Sequence, residues 1–494
     1  MTAAQPAEVA LPAGVFGLGV ASGDPLADRV VLWTRLAPTP EVVGGASPDI
    51  DVEVAYDVAT DERFERLVAS GVAVARPQLA SSVHVDVTGL RPDTWYWYRF
   101  RAGGQTSPVG RTRTFPAADA AAERFRFVFA SCQDFQWGHY GAWARAAEQP
   151  DLDAVVFLGD YIYEISLGDI SPKEDGSRVW ASPVPMTVED YRWRYAQTKA
   201  DPSLQAAHHA VPWIVTFDDH EIANNYAGDI GQADGGEPAG RDRRLAGYQA
   251  WYEHTPIRVE PEPSSFDGLR VHRASSFGSL ARMFVIETRQ HADPPPCRTG
   301  ADLLTDDGPL CAEAEDPGRT NLGPQQEEWL LGELRESSAT WNVLANPVMF
   351  AGLNIGTAEE PRYTRDMWDG YPAVRARLLK AIVEAEVSNP VVVTGDWHAT
   401  YVLDVKEAPE GPTVMPEFLV TSITSVNFGT DYRANNPHVR YFAVNHGFAL
   451  VTVTPEEFRC EFHAVEDVWD PDTTISQVDT WRVKAGSREA ESVT

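Results

Sequence analysis

Apolar and polar positions along this chain follow two rhythms. Over roughly the first 118 residues, short alternating or β-branched runs recur at 30–34 (Val-Val-Leu-Trp-Thr), 52–56 (Val-Glu-Val-Ala-Tyr) and 83–87 (Val-His-Val-Asp-Val). They predict strands. A turn signal at 89–94, Gly-Leu-Arg-Pro-Asp-Thr, leads into Trp-Tyr-Trp-Tyr-Arg-Phe at 95–100. Alternation puts successive rings on opposite faces, so this aromatic strand is expected in the core of an all-β sandwich; a carbohydrate platform is the other use of such a run. Residues 119–123 are small and read as a linker. From 124 onward apolar strands alternate with helical stretches at 137–148, 188–197, 241–254, 325–337 and 371–387, the pattern of an α/β domain expected to run to 468. Residues 416–465 return to strands. The last stretch, 469–494, holds few apolar positions and is expected to be a C-terminal tail, wrapped or frayed.

Four apolar runs of the α/β part each stop on a cluster of metal-friendly side chains. They end at Ser131-Cys132-Gln133-Asp134, Gly159-Asp160-Tyr161-Ile162-Tyr163, Asp218-Asp219-His220-Glu221 (with Asn224-Asn225 beyond) and Gly395-Asp396-Trp397-His398. A strand that ends in Asp, Cys or His delivers that side chain to one edge of a sheet, and four such ends can converge. These residue types suit hard and borderline cations and the chemistry such cations do on phosphate. Taken singly, Asp160 reads as well as a capping residue, and the acidic run at 218–221 as a solvated helix N-terminus. Three carboxylates and an imidazole after an apolar strand are costly to bury without a cation, however. Asp396 and His398 share one face if extended. His220 is not part of a zinc-peptidase helix, because Asn224 stands where a second His is required. No Walker loop and no Gly-x-Gly-x-x-Gly follows a strand, and no nucleophilic Ser or Thr motif is present, so a cation-bound hydroxide is the expected nucleophile.

Composition narrows the partners. A net charge of −31 over 494 residues argues against binding duplex nucleic acid and gives no polybasic attraction to membranes. No run approaches the ~20 apolar residues of a transmembrane helix. Cys297 and Cys311 bracket a Pro-, Gly- and Asp-rich loop that a disulfide would staple, which implies an oxidising compartment. Cys460 sits in an alternating strand pattern and is expected to be simply buried. Residues 1–14 lack the features of a signal peptide; the protein is expected to be either cytosolic, or secreted or periplasmic with its signal removed, and the cysteine loop favours the second. The loops 169–185, 228–240 and 297–311 are expected to carry substrate preference.

The ordered set Gly-Asp-x-x-Tyr, Asp-Asp-His-Glu and Gly-Asp-x-His, following Ser-Cys-Gln, resembles the PhoD-type alkaline phosphatases and phosphodiesterases of the calcineurin-like metallophosphoesterases. Supporting motifs are Phe16-Gly17-Leu18-Gly19-Val20-Ala21-Ser22-Gly23-Asp24-Pro25, Val31-Leu32-Trp33-Thr34-Arg35 and Thr288-Arg289-Gln290; Glu287 departs from the family's Asp-Thr-Arg. The turn-plus-aromatic-strand at 89–100 resembles fibronectin type III sandwiches. The resemblance implies an α/β metallophosphoesterase core, a two-sheet β-sandwich flanked by helices, behind an N-terminal fibronectin type III-like domain. It implies one Fe3+ held by Cys132, Asp160, Tyr163 and His398, and Ca2+ held by Asp160, Asp219, Asp396 and Asn225. Asn346 stands where related enzymes have a histidine ligand. His220 is the candidate general acid, or a residue orienting Asp219 or Asp160; Arg289 is a candidate phosphate clamp, or a surface ion pair. The implied activity is hydrolysis of small phosphomonoesters or phosphodiesters by a secreted enzyme exported by the Tat route. Phospholipase D-type attack on phospholipid head groups is the alternative, and a non-catalytic, metal-stabilised binding module a third reading.

Overall fold

The computed structural model describes residues 4–7, 9–37, 48–165, 178–230, 240–258, 265–297, 307–408 and 410–493. Two large mixed sheets carry the fold. The first has eleven strands, centred on the parallel trio Phe125–Gln133, Ala154–Phe157 and Trp213–Val215. These runs are apolar on both faces, as parallel strands covered from both sides must be. The second has seven, with Ala281–Val285, Trp341–Ala345, Pro390–Thr394 and Thr413–Leu419 as parallel neighbours. Phe127, Phe129, Val156 and Ile214 of the first sheet share one apolar cluster with Val343, Val393 and Phe418 of the second.

Helices cover the outer faces. Gly141–Ala147, Val188–Lys199, Pro202–Ala210 and Arg241–His254 bury Trp143, Tyr195, Leu204 and Trp251 against the first sheet. Pro324–Glu336 and Pro372–Glu384 bury Leu330 and Leu378 against the second. The arrangement is helix, sheet, sheet, helix. Helix Arg241–His254 has the limits its sequence predicts. Pro202–Ala210 was not anticipated, although its signals are present: Asp201 caps the amides of Ser203 and Leu204, and Pro202 occupies the first turn.

The N-terminal strands also build a sandwich, but they do not own both of its sheets. Val52–Ala59, Leu67–Ala75, Trp95–Ala102, Gln105–Thr106 and Gly110–Arg113 form a five-stranded antiparallel sheet. Tyr96, Tyr98 and Phe100 turn inward onto Val30, Leu32, Val54 and Val58. The facing strands Val20–Gly23, Arg29–Arg35 and Ser82–Thr88 belong to the eleven-stranded sheet, because Gly23 pairs in parallel with Trp213. Trp33 Nε1 donates to the Glu253 carbonyl at 2.9 Å, a further tie between the two parts.

The expected C-terminal tail is corrected by the structure. Ile475–Lys484 and Ala490–Ser492 extend the eleven-stranded sheet beyond Glu457–Val465. Trp481, Val483 and Ala490 are buried in the cluster between the sheets. An added edge strand satisfies its backbone by pairing and needs apolar side chains on one face only, so sparse hydrophobicity did not preclude it. Cys297 and Cys311 form a disulfide, and Cys460 is fully buried on Glu457–Val465. Among the described residues no helix is long and apolar enough to cross a membrane.

Candidate functional site

Parallel strands share a C-terminal edge, and at that edge the four clusters meet. Cys132 lies near the end of Phe125–Gln133, Asp160 just beyond Ala154–Phe157, Asp218 and Asp219 beyond Trp213–Val215, and Asp396 and His398 beyond Pro390–Thr394. Ligand atoms of Cys132, Asp160 and His398 lie within 4.8 Å of one another; so do those of Asp160, Asp218, Asp219 and Asp396, and those of Asp160, Asp219 and His220. Asp160 belongs to all three groups. Two glycines permit the approach. Gly159 has φ +119°, and a Cβ there would lie 2.6 Å from the Asp218 nitrogen; a Cβ at Gly395 would collide with the Ser131 side chain.

Backbone strain gathers at the same point. Cys132, Asp160, Asn225, Asp396 and His398 have φ of 59°, 59°, 50°, 68° and 49°. Left-handed backbone is uncommon for residues with a side chain and costs about 1–3 kcal/mol each. It persists where surrounding contacts over-determine it. Glu221 supplies such contacts: its carboxylate accepts from the amides of Asp160 (3.2 Å), Tyr161 (2.7 Å) and Asp218 (3.0 Å). Glu417 does the same for Phe350 and Ala351 while accepting from Thr394 Oγ1.

On one side of Asp160 the donors are soft or phenolic. Tyr163 Oη donates to Asp160 Oδ2 at 3.0 Å and lies 3.1 Å from His398 Nε2. His398 Nδ1 faces the Val426 carbonyl at 2.6 Å, so Nδ1 carries the proton and Nε2 keeps its lone pair for the cluster. Burial pushes His398 down to about 3. Burial, then the carboxylates of Asp160 and Asp396, holds the Cys132 thiol well above its ordinary value. On the other side the donors are carboxylate oxygens. Asp219 Oδ2 accepts from the Asn225 amide at 2.6 Å, and Asn225 lines the adjoining cavity. Burial, then Asp218 and Asp219, raises Asp396; burial also raises Asp160, whose neighbours Asp219, Asp218 and Glu221 add to the effect.

His220 is stacked on Tyr163 at 4.2 Å, and its Nδ1 lies 2.7 Å from Glu164 Oε2. Burial disfavours its charge, yet Asp219, Glu164 and Asp160 together raise it well above the ordinary histidine value. Glu164 also accepts from the Asn224 amide; Glu221 belongs to the acidic cluster read from the sequence, whereas Glu164 lies outside the four clusters. Glu164 directly follows the Gly-Asp-x-x-Tyr motif, which was the available signal.

One expectation changes. Arg289 is 2% exposed and is neither a surface ion pair nor part of the cavity lining. Its Nε donates to Asp218 Oδ1 at 2.7 Å and its Nη1 to Asp366 Oδ2 at 2.9 Å, so it joins two carboxylates instead of facing a substrate. Asn346 lies just beyond Trp341–Ala345, where its Oδ1 accepts from Trp368 Nε1 and its Nδ2 donates to the Val348 carbonyl. Of the loops expected to set substrate preference, residues 169–177, 231–239 and 298–306 lie outside the described residues.

The donor set fits cations. Oδ1 of Asp160, Oδ1 of Asp219 and Oδ2 of Asp396 are buried without a protein hydrogen-bond partner. Unpaired carboxylate oxygens in one buried cluster are what a hard divalent ion coordinates, while a thiol, a phenol and an imidazole around the same Asp160 suit a trivalent ion. A cavity of about 460 Å³ opens on this cluster.

The chain matches the PhoD-like phosphatase model over residues 127–462 and the model of the PhoD-like phosphatase N-terminal domain over residues 2–116. Alkaline phosphatase D of Bacillus subtilis (strain 168) is 43% identical over 473 residues, which cover 93% of this chain and 79% of that protein. The solved structure of PhoD matches with a TM-score of 0.90 at 40% identity, covering 98% of this chain and 93% of that one.

Proposed function

The chain belongs to the PhoD-like phosphatases and is a phosphoric ester hydrolase, and from that premise we propose that it hydrolyses small phosphomonoesters or phosphodiesters at the strand-end cluster with iron and calcium. Cys132, Asp160, Tyr163 and His398 would hold ferric iron, and Asp160, Asp219, Asp396 and Asn225 calcium. Cations held there would neutralise charge on the phosphoryl oxygens and acidify water for in-line attack. The protein's own part is positioning and proton transfer. Glu164 holds His220 by Nδ1, which leaves Nε2 as the atom that can give a proton to the departing alkoxide. Arg289 orients Asp218 and Asp366 and compensates their charge. The observation that carries the reading is the meeting of four strand ends on Asp160, with three buried carboxylate oxygens left unpaired.

The Cys297–Cys311 bond supports residence in an oxidising compartment, and export by the Tat route is part of the proposal. The test is a substrate panel run with metal quantification on one sample. Iron, calcium and turnover of p-nitrophenyl phosphate or bis-p-nitrophenyl phosphate are expected. Turnover of phosphatidylcholine alone would favour the phospholipase D reading, and a protein loaded with both cations that cleaved no ester would sink the proposal. Cys132→Ala is expected to lose its iron equivalent while keeping calcium; full iron retention would remove Cys132 from the ligand set.

A further inference from the structure

We propose that Trp397, Phe428 and Tyr432 form a subsite for a flat apolar substituent, above all an aryl group, on the phosphate ester. The proposal rests on the phosphoric ester hydrolase reading of the adjoining cluster. The cavity is lined by two unlike kinds of side chain. Asp219, His220 and Asp396 line it together with Ile355, Met367 and the three aromatic residues. Phe428 is 46% exposed, and among the described residues it is the most exposed Phe, Tyr or Trp. An apolar ring left uncovered beside a reaction centre is the expected form of a ligand wall.

The ring is held there. One face lies on the His398 imidazole, with centroids 5.0 Å apart and planes 10° apart. The same loop fixes His398 from the side through the Val426 carbonyl. Trp397 meets Phe428 at 6.1 Å and 66°, and Tyr432 meets Trp397 at 6.4 Å and 67°. Successive edge-to-face contacts make one continuous wall instead of three separate side chains, and rings so packed lose little freedom when a fourth is added. No Lys or Arg lines this cavity among the described residues, so the wall offers no partner for a second negative charge. An uncharged substituent on phosphorus is the chemistry that suits it.

Phenylphosphonate and methylphosphonate differ only in that substituent and are not hydrolysed, so their inhibition constants on the metal-loaded enzyme isolate the subsite. Wild type is expected to bind the phenyl compound at least tenfold more tightly, roughly the effect of burying one ring. Phe428→Ala is expected to reduce that preference to threefold or less, and Phe428→Leu to retain part of it. Because Phe428 also touches His398, Tyr432→Ala provides the independent arm: its ring contacts Trp397, and the phenyl preference is expected to fall with iron content unchanged. Equal affinities in wild type, or an unchanged preference in either alanine variant with wild-type metal content, would overturn the subsite. An enzyme that cleaves p-nitrophenyl phosphate without phenyl preference fails only this proposal, whereas one that cleaves no ester fails the reading beneath it.

Discussion

Glu221 and Lys199 show what single buried charges do in this fold. Glu221 uses two oxygens to hold three amides at two different strand ends. A glutamine has one acceptor oxygen, so Glu221→Gln leaves at least one buried N–H without a partner. A loss of about 1–3 kcal/mol is expected, read as a lower urea midpoint with unchanged slope, and kcat/KM is expected to fall by roughly tenfold or more as Asp160 and Asp218 lose their register. Lys199 is fully buried near Trp33 and Tyr161, with His208 Nε2 at 3.5 Å, and burial lowers it to about 7. The nearby His84, His208, His209 and His254 are themselves lowered, by burial first. Between pH 7 and about 10.5 the unfolded chain therefore binds a proton here that the folded chain does not. Stability contributed at this site rises with pH across that window, by up to about 1.4 kcal/mol per unit, and the penalty is complete below pH 7. Lys199→Met is expected to gain stability over wild type at pH 6 and to match it near pH 10.5 in denaturant titrations; equal differences at both values would refute the assignment. The ligand-type residues were legible because Cys132, Asp160, Asp219, Asp396 and His398 each follow an apolar run. The fate of Arg289 was not, since its partners Asp218 and Asp366 lie 71 and 77 residues away, and nothing local distinguishes a buried guanidinium from a substrate clamp.

Elements were legible where periodicity was strong and obscure where pairing supplied the stability. Helix Arg241–His254 and the aromatic strand Trp95–Ala102 follow directly from their patterns. The terminal strands Ile475–Lys484 and Ala490–Ser492 did not, because their few apolar residues look like a tail until Trp481 and Val483 are seen between the sheets. Ending the chain at Asp470 would strip Glu457–Val465 of its neighbour and remove side chains each worth about 1.5–3 kcal/mol when buried. That truncation is expected to be insoluble or to melt more than about 10 °C lower. A soluble product with an unchanged melting point would restore the tail to the surface role its composition suggests. The single parallel pairing of Gly23 with Trp213 has a similar lesson: two stretches of opposite rhythm share one sheet, and hydrophobic pattern alone carries no information about which distant edge a strand will choose.

For the molecule as a whole, the notable arrangement is that the site belongs to neither sheet. Cys132, Asp160 and Asp219 come from the eleven-stranded sheet, and Asp396 and His398 from the seven-stranded one. The cavity wall was half legible: Trp397 stands inside a motif, whereas Phe428 reaches the site from a loop that nothing in the sequence ties to it. A cation gripped by residues of both sheets is also a cross-link between them. Unfolding must then release it, so thermal stability becomes a function of free ion concentration. With calcium bound as proposed, each tenfold rise in the free ion above its dissociation constant would add about 1.4 kcal/mol, and the melting temperature is expected to climb with the logarithm of calcium, to drop on chelation, and to lose that slope in Asp396→Asn. Calorimetry at fixed pH over a calcium series would measure it, and a flat response would separate the cluster from the fold's integrity. The same five left-handed residues that cost the folded chain energy would deepen this dependence, because the proposed ion binding would offset a strain that chelation lays bare. With the proposed ion bound, the cluster would be a fastener as much as a reaction centre, and loss of that ion would open the molecule along the seam between its sheets.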